Sequence, residues 1–190
     1  MTSEYTDQDS KTIELIEAYY ESGNRELPWR VLSSDEPQRF YQVLVSELML
    51  QQTQVSRVII KYIEWMKAFP TMDSLAKADL REVLILWQGL GYNRRARYLY
   101  ESAKLFNIND IPRDVRGLVR FPGVGANTAG AIIAYVFNEP IIYVETNIRT
   151  VIIEHYFTKT SDVTDTQILE VLRRLMDATH LDSRNWYWAL

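Results

Sequence analysis

Apolar side chains recur along most of the chain at intervals of three and four residues, the repeat of a helix packed on one face. Ile13, Ile16, Glu17 and Tyr20 open the series in a short segment that stops near Gly23. The Leu27-Pro28-Trp29-Arg30 stretch predicts an extended linker, because the residue before a proline is driven out of helical geometry. Helices are predicted over 38–51 and over 54–68, the second closed by Phe69-Pro70. Asp79 with Glu82 has the form of a capping box ahead of Leu80, Val83, Leu84 and Trp87, with a stop at Gly89. A helix over 94–106 ends before Ile111-Pro112. Next come a helix over 114–120, a tight Phe121-Pro122-Gly123-Val124-Gly125 turn and a helix over 126–137. Ile141 to Val144 is β-branched and aromatic but too short to build a sheet, so extended coil is expected there. Helices over 147–157 and 164–178 follow, the latter with Thr164 and Gln167 as a second capping box. The chain ends on Trp186-Tyr187-Trp188-Ala189-Leu190, apolar, helical in character and without a cap, as in a chain cut short after Leu190. The pattern predicts an all-α globular protein without internal repeats.

Composition narrows the functional classes. With 190 residues, 47% of them hydrophobic, the chain can bury a sizeable core in one large domain or two small lobes, and only residues 1–10 are polar enough to be loose. Cysteine is absent, which removes disulfides, thiolate metal sites and cysteine-held iron-sulfur clusters and fits a cytoplasmic protein. No apolar run approaches the roughly 18 residues of a spanning helix, and no basic-then-apolar leader opens the chain, so a soluble protein with no membrane partner is expected. The net charge of -4 argues against a nucleic-acid partner. Its distribution argues the other way: between Leu90 and Arg120 seven basic side chains face three acidic ones, a local +4. A solvated charged face is the competing explanation.

Two stretches carry candidate chemistry. In SELMLQQTQ, residues 46–54, helical spacing places Glu47 on one stripe with Phe40, Val43, Leu44 and Gln51. An acid among apolar neighbours has its pKa raised and can hold a proton for donation; alternatively its head reaches solvent or an arginine. The glycine turn entering a helix offers amide groups where the helix dipole favours an anion, and glycine lets a phosphate approach closely. It is also an ordinary helix-helix turn. Arg116 and Arg120 before it, with Asn127 and Thr128 after it, favour the anion.

LVRFPGVGANTAGAI, residues 118–132, resembles the helix-hairpin-helix of the DNA glycosylase superfamily that includes endonuclease III. Within it, the adenine glycosylases acting on A/G mismatches are most similar. Leu27-Pro28-Trp29-Arg30, SELMLQQTQV, WQGLGYNRRAR and Val144-Glu145-Thr146-Asn147 extend the resemblance, in order, over nearly the whole chain. It implies a two-lobed, all-α glycosylase fold: a six-helix lobe with the hairpin at about 35–138, and a second lobe from 1–34 and 139–190.

The resemblance also implies roles. Glu47 matches the general acid that protonates the departing base and helps activate water. Gln52 matches a residue wedged into the base stack vacated when the target base flips out, Gln51 accompanies it, and Tyr92 matches an aromatic inserted beside the opposing base. Arg94 and Arg97, on one side of their helix, grip phosphate together with Gly123, Val124, Gly125, Asn127 and Thr128. Trp29 and Arg30 border the base pocket, although Trp29 equally suits a packing role. Glu145 stands where the family has an aspartate that stabilises positive charge on the sugar. It keeps the charge and adds a methylene; a dipole-favoured carboxylate at a helix start is the alternative. Asn147 matches a helper amide, or else caps the next helix. Asn127 occupies the place of the lysine that strand-cutting relatives use, so a monofunctional glycosylase without lyase activity is expected. No cofactor, metal or iron-sulfur cluster is expected. The partner is double-stranded DNA with a mismatched or damaged base, bound by a monomer, and adenine opposite guanine or 8-oxoguanine is the leading substrate. A thymine or uracil mismatch glycosylase, a catalytically silent DNA-damage binder and a helical interaction module are the alternatives.

Overall fold

The computed structural model describes residues 5–23, 25–158 and 162–190, and among these every regular element is helical. The chain divides into two compact units: Glu26–Phe137, and a terminal unit made of Met1–Arg25 with Asn138–Leu190. Residues 26–34 therefore fall with the hairpin unit, where the sequence assigned them to the other lobe.

In the hairpin unit, α2 (Glu36–Leu50) is the central element. It is capped by Asp35, whose carboxylate accepts from the Gln38 amide, and it packs against α3 (Val55–Ala68), α6 (Arg94–Leu105) and α8 (Ala126–Ile132). A helix covered on several sides must be apolar on several sides, and Phe40, Tyr41, Val43, Leu44, Val45, Leu48 and Met49 are all buried. Phe40 lies 5.4 Å from both Phe106 and Phe121, joining α2 to the loops before and after α7 (Val115–Leu118). The Tyr41 hydroxyl donates to Phe69 O at 2.7 Å and accepts from Trp65 Nε1 at 2.9 Å, so the polar ends of two buried rings satisfy each other.

Two short elements were not visible in the periodicity. Residues 28–30 form a 3-10 turn, with Pro28 at its first position where a missing amide costs nothing. The α4 helix (Met72–Lys77) is held by a reciprocal Thr71–Ser74 cap and spans too few residues to show a repeat. Asp79 does cap α5 (Leu80–Leu86), through the Arg81 amide at 2.7 Å. The predicted helix over 126–137 changes character at Ile133 and continues as a π-helical turn to Phe137, where Arg39 Nε donates to Val136 O at 2.7 Å.

In the terminal unit, α1 (Asp7–Glu21) packs on α10 (Asp165–Ala178) and α11 (Ser183–Ala189), and α9 (Thr146–Tyr156) packs on α10. Residues 7–10 are helical rather than loose, because Thr6 and Asp9 form a capping box. The same Asp9 is buried and receives Arg174 Nε at 3.1 Å and the Tyr156 hydroxyl at 2.9 Å. Thr164 and Gln167 cap α10 reciprocally, as predicted. Residues 141–144 are coil.

Candidate functional site

The candidate residues divide between the units, with Glu47, the wedge pair and the hairpin on one and Glu145 with Asn147 on the other. Glu47 is half-buried on α2, between buried Ser46 and Leu48. Its predicted stripe begins buried at Phe40, Val43 and Leu44 and opens at Glu47, about one turn before the helix ends, and at Gln51, the residue just beyond its end.

At that end the backbone turns sharply. Gln52 has φ 54° and Tyr92, in the loop before α6, has φ 47°. Both are non-glycine residues in the left-handed region, a geometry that costs about 1–3 kcal/mol and gathers at functional sites. Both side chains are exposed, Tyr92 to 67%, so the amide and the outer face of the ring are open to contact. Gln51 Nε2 donates to Gly123 O at 3.3 Å, tying the end of α2 to the hairpin turn.

The turn itself is shaped by Gly123. Its φ is 79°, and a Cβ there would come within 2.8 Å of Tyr98 Cδ2 and 3.1 Å of Leu48 Cδ2. Gly125 is different: its φ of -90° suits any residue, and a Cβ would meet nothing within 4 Å. The protein's own packing thus gives no reason for glycine at 125, whereas an approaching ligand would. Val124 departs from its expected role, because its amide donates to Phe121 O at 3.1 Å inside the turn and its side chain is buried. Asn127 is exposed and Thr128 half-buried in the first turn of α8.

Of the local basic cluster, Arg94 is exposed with its guanidinium 5.7 Å from the Tyr98 ring, and Arg116 and Arg120 are exposed beside the hairpin. Arg97 is exposed but pairs with Glu101 at 2.7 Å, an i,i+4 surface bridge weak enough to yield to phosphate. Arg113 bridges to Glu36 at 2.6 Å. Arg95 is not at the surface at all. It is 6% exposed and threads its guanidinium under the loops that carry Gln52 and Tyr92, a placement the sequence signalled only by its falling on the buried face of α6 with Ala96, Leu99 and Ser102.

Trp29 is 8% exposed and packs edge-on against Tyr62, with centroids 5.6 Å apart, so its ring is a packed wall; Arg30 beside it is half-buried.

In the terminal unit Glu145 is the N-cap residue of α9. Its side chain makes no capping bond, the expected failing of a carboxylate one methylene too long. The side chain keeps a solvent-exposed surface, while the protein around its carboxyl raises its pKa by desolvation. Water screens a carboxyl that keeps this much exposure. Asn147 is exposed inside α9 and does not hold the N-cap position, which excludes the simple capping alternative. The Glu145 segment is pinned from α11: the Tyr187 hydroxyl donates to Ile141 O at 2.8 Å and accepts from the Tyr143 amide at 3.3 Å, and its ring stacks on Tyr143 at 4.4 Å. This anchor went unread in the sequence, where the terminal aromatics look like generic core. Among the described residues, no three His, Cys, Asp or Glu side chains cluster as a metal site.

Residues 45–177 match the family model described as HhH-GPD superfamily base excision DNA repair protein. An adenine DNA glycosylase of Buchnera aphidicola subsp. Baizongia pistaciae is 38% identical over 145 residues, covering 75% of this chain and 40% of that protein. The Homo sapiens adenine DNA glycosylase is 43% identical over 143 residues, covering 71% of this chain and 26% of that protein. The chain thus spans less than half the length of these curated relatives. Among solved structures, a thermostable thymine-DNA glycosylase superposes with a TM-score of 0.77 at 21% identity, over 96% of this chain and 83% of the other. A trapped endonuclease III–DNA covalent intermediate gives 0.68 at 19% identity, over 98% and 83%. At these identities the structural likeness establishes the fold.

Proposed function

Because the chain belongs to the HhH-GPD superfamily of base excision DNA repair proteins, we propose that it hydrolyses the bond between a mispaired base and its sugar in duplex DNA. Adenine opposite guanine or 8-oxoguanine is the substrate class, in keeping with the relatives named adenine DNA glycosylase. One observation carries the reading. A half-buried acid on the central helix is followed, within a turn and a half, by an exposed residue in strained left-handed geometry, beside a second such residue and a glycine hairpin.

The chemistry follows from what each group supplies. A base inside a duplex must leave the stack before its sugar bond can be attacked, at a cost of roughly a few kcal/mol. Gln52 and Tyr92 fill the stack that it vacates, and the hairpin with Arg94 and Arg97 holds the backbone. Glu47 then donates its proton to the base ring, making a neutral leaving group as the C–N bond breaks. The sugar is left as an oxocarbenium-like species, which the Glu145 carboxylate stabilises electrostatically while water adds to the anomeric carbon and passes its proton to the Glu47 carboxylate left by the first step. Asn127 supplies an amide where a Schiff base would need an amine, so strand cleavage is no part of the reaction.

The test is a panel of labelled duplexes carrying adenine opposite 8-oxoguanine, thymine opposite guanine and uracil opposite guanine. Alkali-sensitive abasic sites on the first alone are expected. Product only on the others reassigns the substrate, and binding without product on all three makes the chain a DNA-damage binder. Glu47→Gln should abolish product and retain binding; unchanged turnover would remove the acid from this account.

A further inference from the structure

Arg95 serves neither as a phosphate contact nor as an ion-pair partner in this fold. Its Nη1 donates to Leu48 O at 2.8 Å, to Met49 O at 3.0 Å and to Gln51 O. Its Nη2 donates to Thr53 Oγ1 at 3.1 Å, Leu90 O at 3.0 Å and Gly91 O at 3.2 Å. The first set contains carbonyls left open at the C-terminal end of α2, where a cation is favoured. The second set reaches the loop before α6. Gln51 O belongs to the peptide that leads into Gln52, and Gly91 O to the one that leads into Tyr92. One planar guanidinium therefore holds the peptide ahead of each left-handed residue, and its face lies 5.6 Å from the Tyr92 ring centroid.

We propose that Arg95 is the positioning residue of a two-pronged wedge: it locks the Gln52 and Tyr92 loops to each other before DNA arrives, and so governs base extrusion rather than bond cleavage. This rests on the glycosylase reading above. Both prongs occupy backbone conformations their side chains disfavour, so without a clamp each loop would relax and the ordering would have to be supplied during binding. Only arginine fits the task. Its two terminal nitrogens point to separate rows of acceptors in a rigid plane, whereas a lysine ammonium is a single point that reaches one row.

Arg95→Lys should fold, which a melting curve checks, and should excise adenine from a duplex carrying it opposite 8-oxoguanine about tenfold more slowly than the unmodified protein in single turnover. Deleting the opposing base, so that nothing has to be wedged apart, should bring the variant back to within about twofold of the unmodified protein. With 2-aminopurine as the target base, the variant should show a smaller fluorescence rise on binding, and adding Arg95→Lys to Gln52→Ala/Tyr92→Ala should cost nothing further. Equal slowing on both duplexes, or additive losses, would overturn the proposal in favour of a merely structural arginine. Should Arg95→Lys fail to fold, Thr53→Val removes one acceptor of the same guanidinium and should give the same substrate split at about threefold. If the unmodified protein releases no base from either duplex, the glycosylase reading fails, while the 2-aminopurine rise still decides on the clamp: a rise that Arg95→Lys diminishes upholds it, and no rise, or an equal one, overturns it.

Discussion

Glu145 and Gly125 are both residues that the fold itself does not need. The Glu145 carboxylate caps nothing and has its pKa raised by desolvation. A carboxyl whose folded pKa is raised stabilises the fold below its unfolded pKa and loses that contribution as pH rises through the folded one. At neutral pH, Glu145→Gln should therefore melt at the same temperature or slightly higher, while excision falls by about 10²–10³ as the transition state loses its counter-charge. Glu145→Asp should gain up to about 1 kcal/mol of stability through a true N-cap, and its excision rate reports how far the added methylene detunes the carboxylate. A lower melting temperature for Glu145→Gln would show a structural role that the hydrogen bonds do not reveal. The glycines separate in the same way. Gly123→Ala should destabilise the hairpin through its 79° φ and the 2.8 Å approach to Tyr98. Gly125→Ala should leave melting unchanged and weaken duplex binding by about tenfold, the worth of one hydrogen bond to phosphate.

At the scale of elements, most helices were legible because their apolar positions repeat over ten or more residues and their caps are marked, Thr164 with Gln167 being the clearest. What escaped is short or non-local. The six residues of α4 complete fewer than two turns, and the π-helical turn at Ile133–Phe137 shows no signal in a run that is apolar throughout. Arg95 looked like one more surface charge in a basic stretch, since its partners come from 42 to 47 positions away as well as from the adjacent loop. The α1 start was missed for a related reason: Asp9 is polar in sequence, yet it is buried because Arg174 and Tyr156 come to it from α10 and α9. Burial alone would raise the Asp9 pKa, but Arg174, the Thr6 amide, Tyr156 and the Thr6 hydroxyl together bring it below its ordinary value. A depressed carboxyl contributes its stability above the unfolded pKa and loses it as pH falls through the folded one. Asp9→Asn should thus cost about 3 kcal/mol at neutral pH by taking the buried carboxylate away from the Arg174 guanidinium, a loss of roughly 6–12 °C in Tm. The gap from the unmodified protein should close as the pH is lowered from 5 toward 2. A gap that stays constant across that range would mean the ion pair is not what Asp9 contributes.

For the whole molecule, the net charge of -4 argues against a nucleic-acid partner only if it is spread evenly, and it is not. The hairpin unit, residues 26–137, carries fourteen basic and eleven acidic side chains, a net of +3; the terminal unit carries seven and fourteen, a net of -7. Within the hairpin unit the surplus lies in the stretch that runs from the wedge loop to the hairpin, where Arg94, Arg97, Arg116 and Arg120 are exposed. Local positive charge of this kind binds phosphate by releasing condensed counterions, which makes affinity fall steeply with salt whatever the total charge of the protein. If these four arginines each neutralise one phosphate, the logarithm of the duplex association constant should fall against the logarithm of salt concentration with a slope of about -3.6. Arg94→Ala should lower the slope's magnitude by about 0.9. Arg97→Ala should do the same minus a small offset, because its bridge to Glu101 has to open first. Arg95→Lys should leave the slope where it was, since a buried guanidinium engaged with carbonyls releases no counterions, and a change there would place Arg95 on the phosphate backbone after all.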